Sequence, residues 1–245
     1  MNPTIELLKS HRSIRKFTDQ PIGTELLHEL VRAGQGASTS NHVQACSIVR
    51  VTDVAKRERL AELAGGQASV SGCAEFLVFC ADMKRPMEAA ARAGADVVAG
   101  MTEHLLVSSI DAALLAQNVA VAAESVGLGL CYIGGLRNNP QEVSELLELP
   151  DQVYPVFGMA VGYPAHQPDV KPRLPVEAIL FVNRYDDSRT AEQVAAFDQT
   201  MHDYYLARSS NNKSSSWSEQ LKPLFTVKLR AHMKEFLNKR GFGLR

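Results

Sequence analysis

Near the amino terminus, His11, Arg12, Ser13, Arg15 and Lys16 crowd into six consecutive residues around Ile14. Guanidinium groups bind phosphate through paired hydrogen bonds, and an extended segment would set Arg12 on a phosphate while Arg15 faces another part of the same ligand. The plain alternative is a solvated charge run, and spacing alone favours it. A second basic pair, Lys171 and Arg173, flanks Pro172, whose fixed φ stiffens the backbone that carries both cations. Taken alone, it is an ordinary basic loop. Gly134-Gly135 follows Tyr132-Ile133, and without Cβ atoms a backbone can approach a flat ligand closely. A strand-to-helix turn explains the same dipeptide.

Other chemistries lack their signatures. The seven histidines form no H-E-x-x-H or Cys/His ligand cluster, so no metal site is expected, and no serine sits in a G-x-S-x-G elbow. Gly127-x-Gly129 has Tyr132 where a third glycine would complete a dinucleotide fingerprint, and no Walker A sequence occurs. Cationic segments with flexible glycines and no evident nucleophile suit a bound phosphorylated cofactor that carries the chemistry itself.

The elements that must position these residues belong to an ordinary globular chain of 245 residues, 45% hydrophobic and 22% charged, with enough apolar surface for a substantial core. One domain over 1–245 is the expectation, with an excursion at 84–100 and a C-terminal helical extension at 190–245. A net charge of −1 supplies no field to attract nucleic acid or an anionic membrane. Cys46, Cys73, Cys80 and Cys131 form no C-x-x-C pair and read as core thiols in a reducing, cytoplasmic compartment. Pro3 and Glu6 stand where a secretory signal would be basic and then unbroken apolar. The most apolar stretch, 105–123, is interrupted by Asp111, Gln117 and Asn118, which reads as a buried helix rather than a membrane span.

Asn2-Pro3 predicts the start of a helix ending near His11, and Thr24 the cap of a second one carrying Leu27, Leu30 and Val31 on one face. Strands are expected at 48–51, 76–80, 130–133, 156–163 and 178–182, and helices at 55–64 and from 105 to Gly127. Asn139-Pro140 opens another helix. Helical patterns return at 192–206 and 219–239 around a polar loop at 208–216. The strands do not alternate regularly enough with helices for a doubly wound sheet, so the fold class is α+β, with a mixed, mostly antiparallel sheet wrapped by helices.

His11-Arg12-Ser13-Ile14-Arg15-Lys16-Phe17, Ala116-Gln117-Asn118, Gly127-Leu128-Gly129, Tyr132-Ile133-Gly134-Gly135-Leu136-Arg137-Asn138 and Lys171-Pro172-Arg173-Leu174-Pro175, in this order and spacing, resemble the nitroreductase superfamily. The likeness is to its branch of oxygen-insensitive NADPH nitroreductases of type A and NADPH-flavin oxidoreductases. It extends through Tyr204-Tyr205-Leu206, Arg208, Ser210-Asn211-Asn212 and Trp217-Ser218, nearly the whole chain.

The resemblance implies a nitroreductase-like homodimer with the long central helix in its core and two FMN molecules at its interface. Carried over by matching positions, His11, Arg12, Ser13, Arg15, Thr39, Ser40, Asn41, Gln67, Tyr132, Ile133, Gly134, Gly135, Lys171 and Arg173 would contact FMN. Arg208 and Lys213 would read the 2′-phosphate of NADPH, while Asn41, His42, Arg137 and Arg230 would face the acceptor. His42 stands where a relative carries Phe, and 84–100 departs from the family in length and composition. Arg15 would offset the negative charge that two-electron reduction places around flavin N1 and O2, and a backbone N–H of Gly134-Gly135 would reach N5. The implied activity is ping-pong transfer of electron pairs from NADPH to nitro compounds, quinones or related small-molecule oxidants. An NADPH-dependent flavin reductase and a non-catalytic flavin-binding protein are the alternatives.

Overall fold

The computed structural model describes residues 2–208 and 212–245, so Ser209, Ser210 and Asn211 of the expected polar loop lie outside the described residues. The chain divides into two compact units, residues 1–168 with 232–245, and residues 169–231.

In the first unit, helix α1 (Pro3–Lys9) begins as its sequence dictates: the Asn2 side chain accepts from the Thr4 N–H at 2.9 Å, and Pro3 occupies the first turn. Helix α2 (Thr24–Gln35) follows, with Gly23 rather than Thr24 at the cap. Strand β1 (Cys46–Val51), helix α3 (Val54–Leu63), the single turn α4 (Ala68–Ser71), strand β2 (Glu75–Asp82) and helix α5 (Lys84–Arg92) come next. Then come the 24-residue helix α6 (Thr102–Ser125), strand β3 (Gly129–Ile133), helix α7 (Pro140–Leu146) and strand β4 (Val153–Gly162). The four strands pair in the order β1-β2-β4-β3, antiparallel at every pairing. The one parallel feature among the described residues is an isolated bridge from Ser13 to Leu130.

Strand β2 explains the architecture. All eight of its residues are buried, and strand alternation sends neighbours to opposite faces. Leu77 and Phe79 join a core with Ala112, Leu115, Ala116 and Val119 of α6. Phe76, Val78 and Cys80 join a second core with Leu60 and Leu63 of α3 and Val143 of α7. A sheet covered on both faces needs the continuous apolar run that β2 has.

Helix α6 has the length and mean hydropathy, 1.6, of a membrane span, yet it packs against α2 and the sheet and buries Ser108 and Asp111. The approach of α2 is close: a Cβ on Gly34 would lie 2.5 Å from Val119 Cγ2. The last helix of the chain, Met233–Lys239, returns to this unit, where Phe236 and Phe242 pack with Tyr154, Ala81 and Met83.

The second unit holds helix α8 (Thr190–Ala207) and helix α9 (Trp217–Phe225). Phe197, Met201 and Tyr205 of α8 form its core with Trp217 and Leu174 packed against them. Ser216 and Glu219 make a reciprocal capping box at the start of α9. Two expectations fail at or beyond this unit. No strand forms at 178–182: a 3-10 turn covers Val176–Ala178, and Ile179, Leu180 and Val182 are more than 60% exposed, so the apolar run lacks a partner strand. The single helix expected over 219–239 is two, α9 and α10 (Met233–Lys239). Pro223 lies inside α9, and Arg230 adopts a φ of 51°, which a continuous helix does not accommodate.

Candidate functional site

The basic segment at the amino terminus is drawn along β3. Ile14 N–H donates to the Leu130 carbonyl at 2.8 Å, next to the Ser13–Leu130 bridge. This places His11, Arg12, Ser13 and Arg15 beside the strand that runs through Tyr132 and Ile133 into Gly134-Gly135. Burial pushes the Cys131 thiol up, and the positive charge of Arg15 and a hydrogen bond from Ser13 pull it back down. Arg12 donates to the carbonyls of Ser10 and Pro168 at 3.2 and 3.4 Å.

His11 is anchored differently. Its Nδ1 lies 2.6 Å from the Glu124 carboxylate on the last turn of α6, with side-chain exposures of 28% and 12%. The same carboxylate, after burial itself, pushes the Tyr132 hydroxyl up to about 12. Tyr132 donates to Gln117 Oε1 at 3.2 Å and meets the ring of Phe157 edge-on at 5.2 Å.

Gln67 comes to the glycine pair. A Cβ on Gly135 would lie 2.4 Å from the Ala64 carbonyl oxygen and 2.6 Å from Gln67 Nε2, so only glycine lets the three meet. Gln67 itself donates to Ala64 O at 3.0 Å. Arg137 directs its guanidinium to the carbonyl of Val156.

Thr39 and His42 line a cavity of about 800 Å³ together with Gln44, Cys46, Arg85 and Leu115, and Ser40 and Asn41 join them in sequence without lining it. In this loop Asn41, His42 and Gln44 all take positive φ, at 46°, 59° and 52°, a conformation that non-glycine residues hold only where their surroundings enforce it. The 84–100 segment, without a role from sequence, supplies Arg85 to this cavity on α5.

In the second unit, three cations surround one ring. Lys213 Nζ lies 4.4 Å, Lys171 Nζ 5.6 Å and the Arg208 guanidinium 5.7 Å from the centroid of Tyr205. Gln220 Oε1 accepts from both the Tyr205 hydroxyl at 2.9 Å and Lys213 at 3.0 Å. Arg173 donates to the Lys171 carbonyl at 3.1 Å, and Arg230 sits in the turn after α9. Sequence reasoning assigned Lys171 to one ligand and Arg208 with Lys213 to another; the structure gathers all three on Tyr205.

Among the described residues, no carboxylate pairs with Arg12, Arg15, Lys171, Arg173, Arg208 or Lys213. Left without anions of their own, Arg12 and Arg15 on the segment drawn along β3, and separately Lys171, Arg173, Arg208 and Lys213 within the second unit, are donors of the kind that fits phosphorylated ligands.

Residues 8–163 match the model of the nitroreductase family, and residues 171–245 match the model of that family's C-terminal domain. The chain belongs to the nitroreductase family. It is 43% identical over 245 residues, all of both chains, to the oxygen-insensitive NADPH nitroreductase of Salmonella typhimurium. It is 44% identical over 249 aligned positions, 99% of each chain, to the FMN reductase (NADPH) of Bacillus subtilis. Among solved structures, the NADPH:FMN oxidoreductase from Vibrio harveyi complexed with NAD+ superposes with a TM-score of 0.90, at 43% identity and full coverage of both chains. The α+β nitroreductase fold expected from the sequence is therefore the fold of this chain.

Several residues at these sites escaped sequence reasoning. Glu124, Arg85 and Gln220 carry no local signal. Asp111 does carry one: a charge inside an apolar helix demands a partner.

Proposed function

We propose that this nitroreductase-family chain is an FMN-dependent NADPH oxidoreductase that passes electron pairs to nitro compounds, quinones or related small oxidants by a ping-pong mechanism. The observation that carries the reading is the pair of carboxylate-free guanidinium groups, Arg12 and Arg15, on the segment that lies along β3, the strand that runs into Gly134-Gly135. It is supported by full-length similarity to relatives whose names state NADPH nitroreductase and FMN reductase. When bound, FMN supplies the two-electron relay between donor and acceptor.

The chain's own residues bind and orient. Arg12, Lys171 and Arg173 hold the phosphate, while His11, Ser13, Thr39, Ser40, Asn41 and Gln67 complete the polar contacts. Arg15 stabilises the negative charge that reduction adds. Tyr132, Ile133, Gly134 and Gly135 let main chain lie against the ring. Arg208 and Lys213 select NADPH through its additional phosphate, and Asn41, His42, Arg137 and Arg230 face the acceptor. No protein acid or base is required for this exchange. Apo protein mixed with FMN and then titrated with NADPH, with and without a nitroaromatic, tests the reading.

The flavin reductase alternative, in which free FMN is the acceptor, is favoured by the likeness to the Bacillus subtilis enzyme; product analysis with excess FMN separates the two.

A homodimer belongs to the same proposal. Leu106, Ile110 and Leu114 are 50%, 55% and 43% exposed, one stripe at fourfold spacing on α6, and such a stripe suits burial against a second copy. All four cysteines are free and buried, which suits a reducing cytoplasm.

A further inference from the structure

We infer that Asp111 and Arg85 are positioning residues that clamp the strained 39–45 loop from its two hydrogen-bonding sides and so fix the acceptor-side wall of the 800 Å³ cavity. This rests on the reading of Asn41 and His42 as acceptor-facing residues.

The geometry is complementary. Asp111 is 1% exposed on the central helix. One of its oxygens accepts from the Ser40 N–H at 3.2 Å and the other from the Ala45 N–H at 3.0 Å, so a single buried carboxylate holds both ends of the loop. Between those two points lie the three residues at positive φ. From α5, Arg85 takes the acceptors: its guanidinium donates to the Gln44 carbonyl at 3.1 Å and to the carbonyl of Cys46. An anion satisfies the loop's donors while a cation satisfies its acceptors.

Within the loop, Val43 N–H donates to Ser40 O at 2.9 Å, and the Gln44 amide pairs with His42 Nε2 at 3.2 Å. Backbone held this far from its preferred basins reverts unless the surroundings over-determine it. The two charges supply that determination. They also account for two features that the fold alone leaves idle: a charge buried in an apolar helix, and the helical excursion that follows β2.

The test uses the full chain without and with FMN. In hydrogen exchange on the apo protein, Asp111→Asn, which keeps one acceptor oxygen and turns an NH2 donor on the other amide, should speed exchange at one or both of the Ser40 and Ala45 amides by roughly tenfold or more, the scale set by loss of a charge-assisted hydrogen bond. Arg85 is largely exposed, so Arg85→Met keeps the fold and serves as the second probe. In the FMN-loaded enzyme both variants should raise KM for a nitroaromatic by about tenfold and leave kcat nearly unchanged. Arg85→Lys should restore most of the affinity. Adding Gln44→Gly to Asp111→Asn should recover part of the loss, because glycine takes that φ without strain.

Wild-type exchange at Ser40 and Ala45 in both Asp111→Asn and Arg85→Met would overturn the clamp. Faster exchange with an unchanged acceptor KM would overturn its link to the acceptor. A wild-type chain that takes up no FMN would remove the functional reading and the acceptor role with it, while the exchange rates would still decide the clamp.

Discussion

Glu124→Ala removes the partner of His11 and probes how the helix end supports the basic amino-terminal segment proposed to hold FMN. The contact is a 2.6 Å hydrogen bond between a carboxylate 12% exposed and an imidazole 28% exposed. Hydrogen bonds to charged groups contribute about 1.5–3 kcal/mol. The lower end applies, because solvent reaches the ring and a neighbouring cavity of about 190 Å³, lined by Glu124, Arg12 and Ile14, admits water as a substitute partner. Loss of about 1.5 kcal/mol, expressed in ligand binding, weakens FMN by roughly tenfold; expressed in folding, it lowers Tm by about 3–6 °C. FMN titration by fluorescence quenching, run beside thermal unfolding of the apo protein, separates these outcomes. If His11 reaches FMN from this anchor, His11→Ala gives a similar loss and the double variant adds little to either, while Glu124→Gln keeps an acceptor and loses less. An FMN affinity within about twofold of the parent in Glu124→Ala, with only Tm reduced, would refute the reasoning.

Arg208→Ala should raise KM for NADPH by a factor corresponding to about 1.5–3 kcal/mol while leaving NADH nearly unaffected; equal effects on both donors would remove its phosphate role. Replacing Lys171 and Arg173 together by Ala should yield colourless protein at low FMN, which the visible spectrum reports, and retained tight flavin would contradict the assignment. Gly34→Ala forces a methyl to within 2.5 Å of Val119 Cγ2, so unfolding experiments should show a loss of about 1–3 kcal/mol. Tyr132 has its folded-state value raised from 10.0 to about 12 by burial and then by Glu124. Its contribution is complete below pH 10 and is lost as pH rises towards 12, since the unfolded chain ionises first. Tyr132→Phe should flatten that alkaline decline in a denaturation series.

Much of the fold was legible where local chemistry and tertiary demand agree. Asn2-Pro3 opens a helix because it satisfies the first turn on its own, and the run through Phe79 reads as a buried strand because both its faces find cores. The run at 178–182 is as apolar throughout but has no neighbouring strand, and pairing is not written in a single segment. Within 219–239, apolar periodicity hid Pro223 and the turn at Arg230, so one helix was expected where two form.

At the site, the segments His11 to Arg15 and Tyr132 to Gly135 were visible as cations and glycines, and the structure lays the first along β3, the strand that runs into the second. What holds them was not visible, because Glu124 and Asp111 act on partners 113 and at least 66 residues away. Spacing rules do not reach that far. The meeting of Lys171, Arg208 and Lys213 on Tyr205 likewise depends on how α8 and α9 pack.

An anaerobic titration of the FMN-supplied protein with NADPH, followed by the visible flavin band, decides whether this chain relays electrons through FMN. Tight flavin uptake, bleaching by about one equivalent of NADPH per bound flavin, and recovery of the band when a nitroaromatic or quinone is added are expected. Protein that takes up no FMN, or a bound flavin that NADPH leaves oxidised, would contradict that relay.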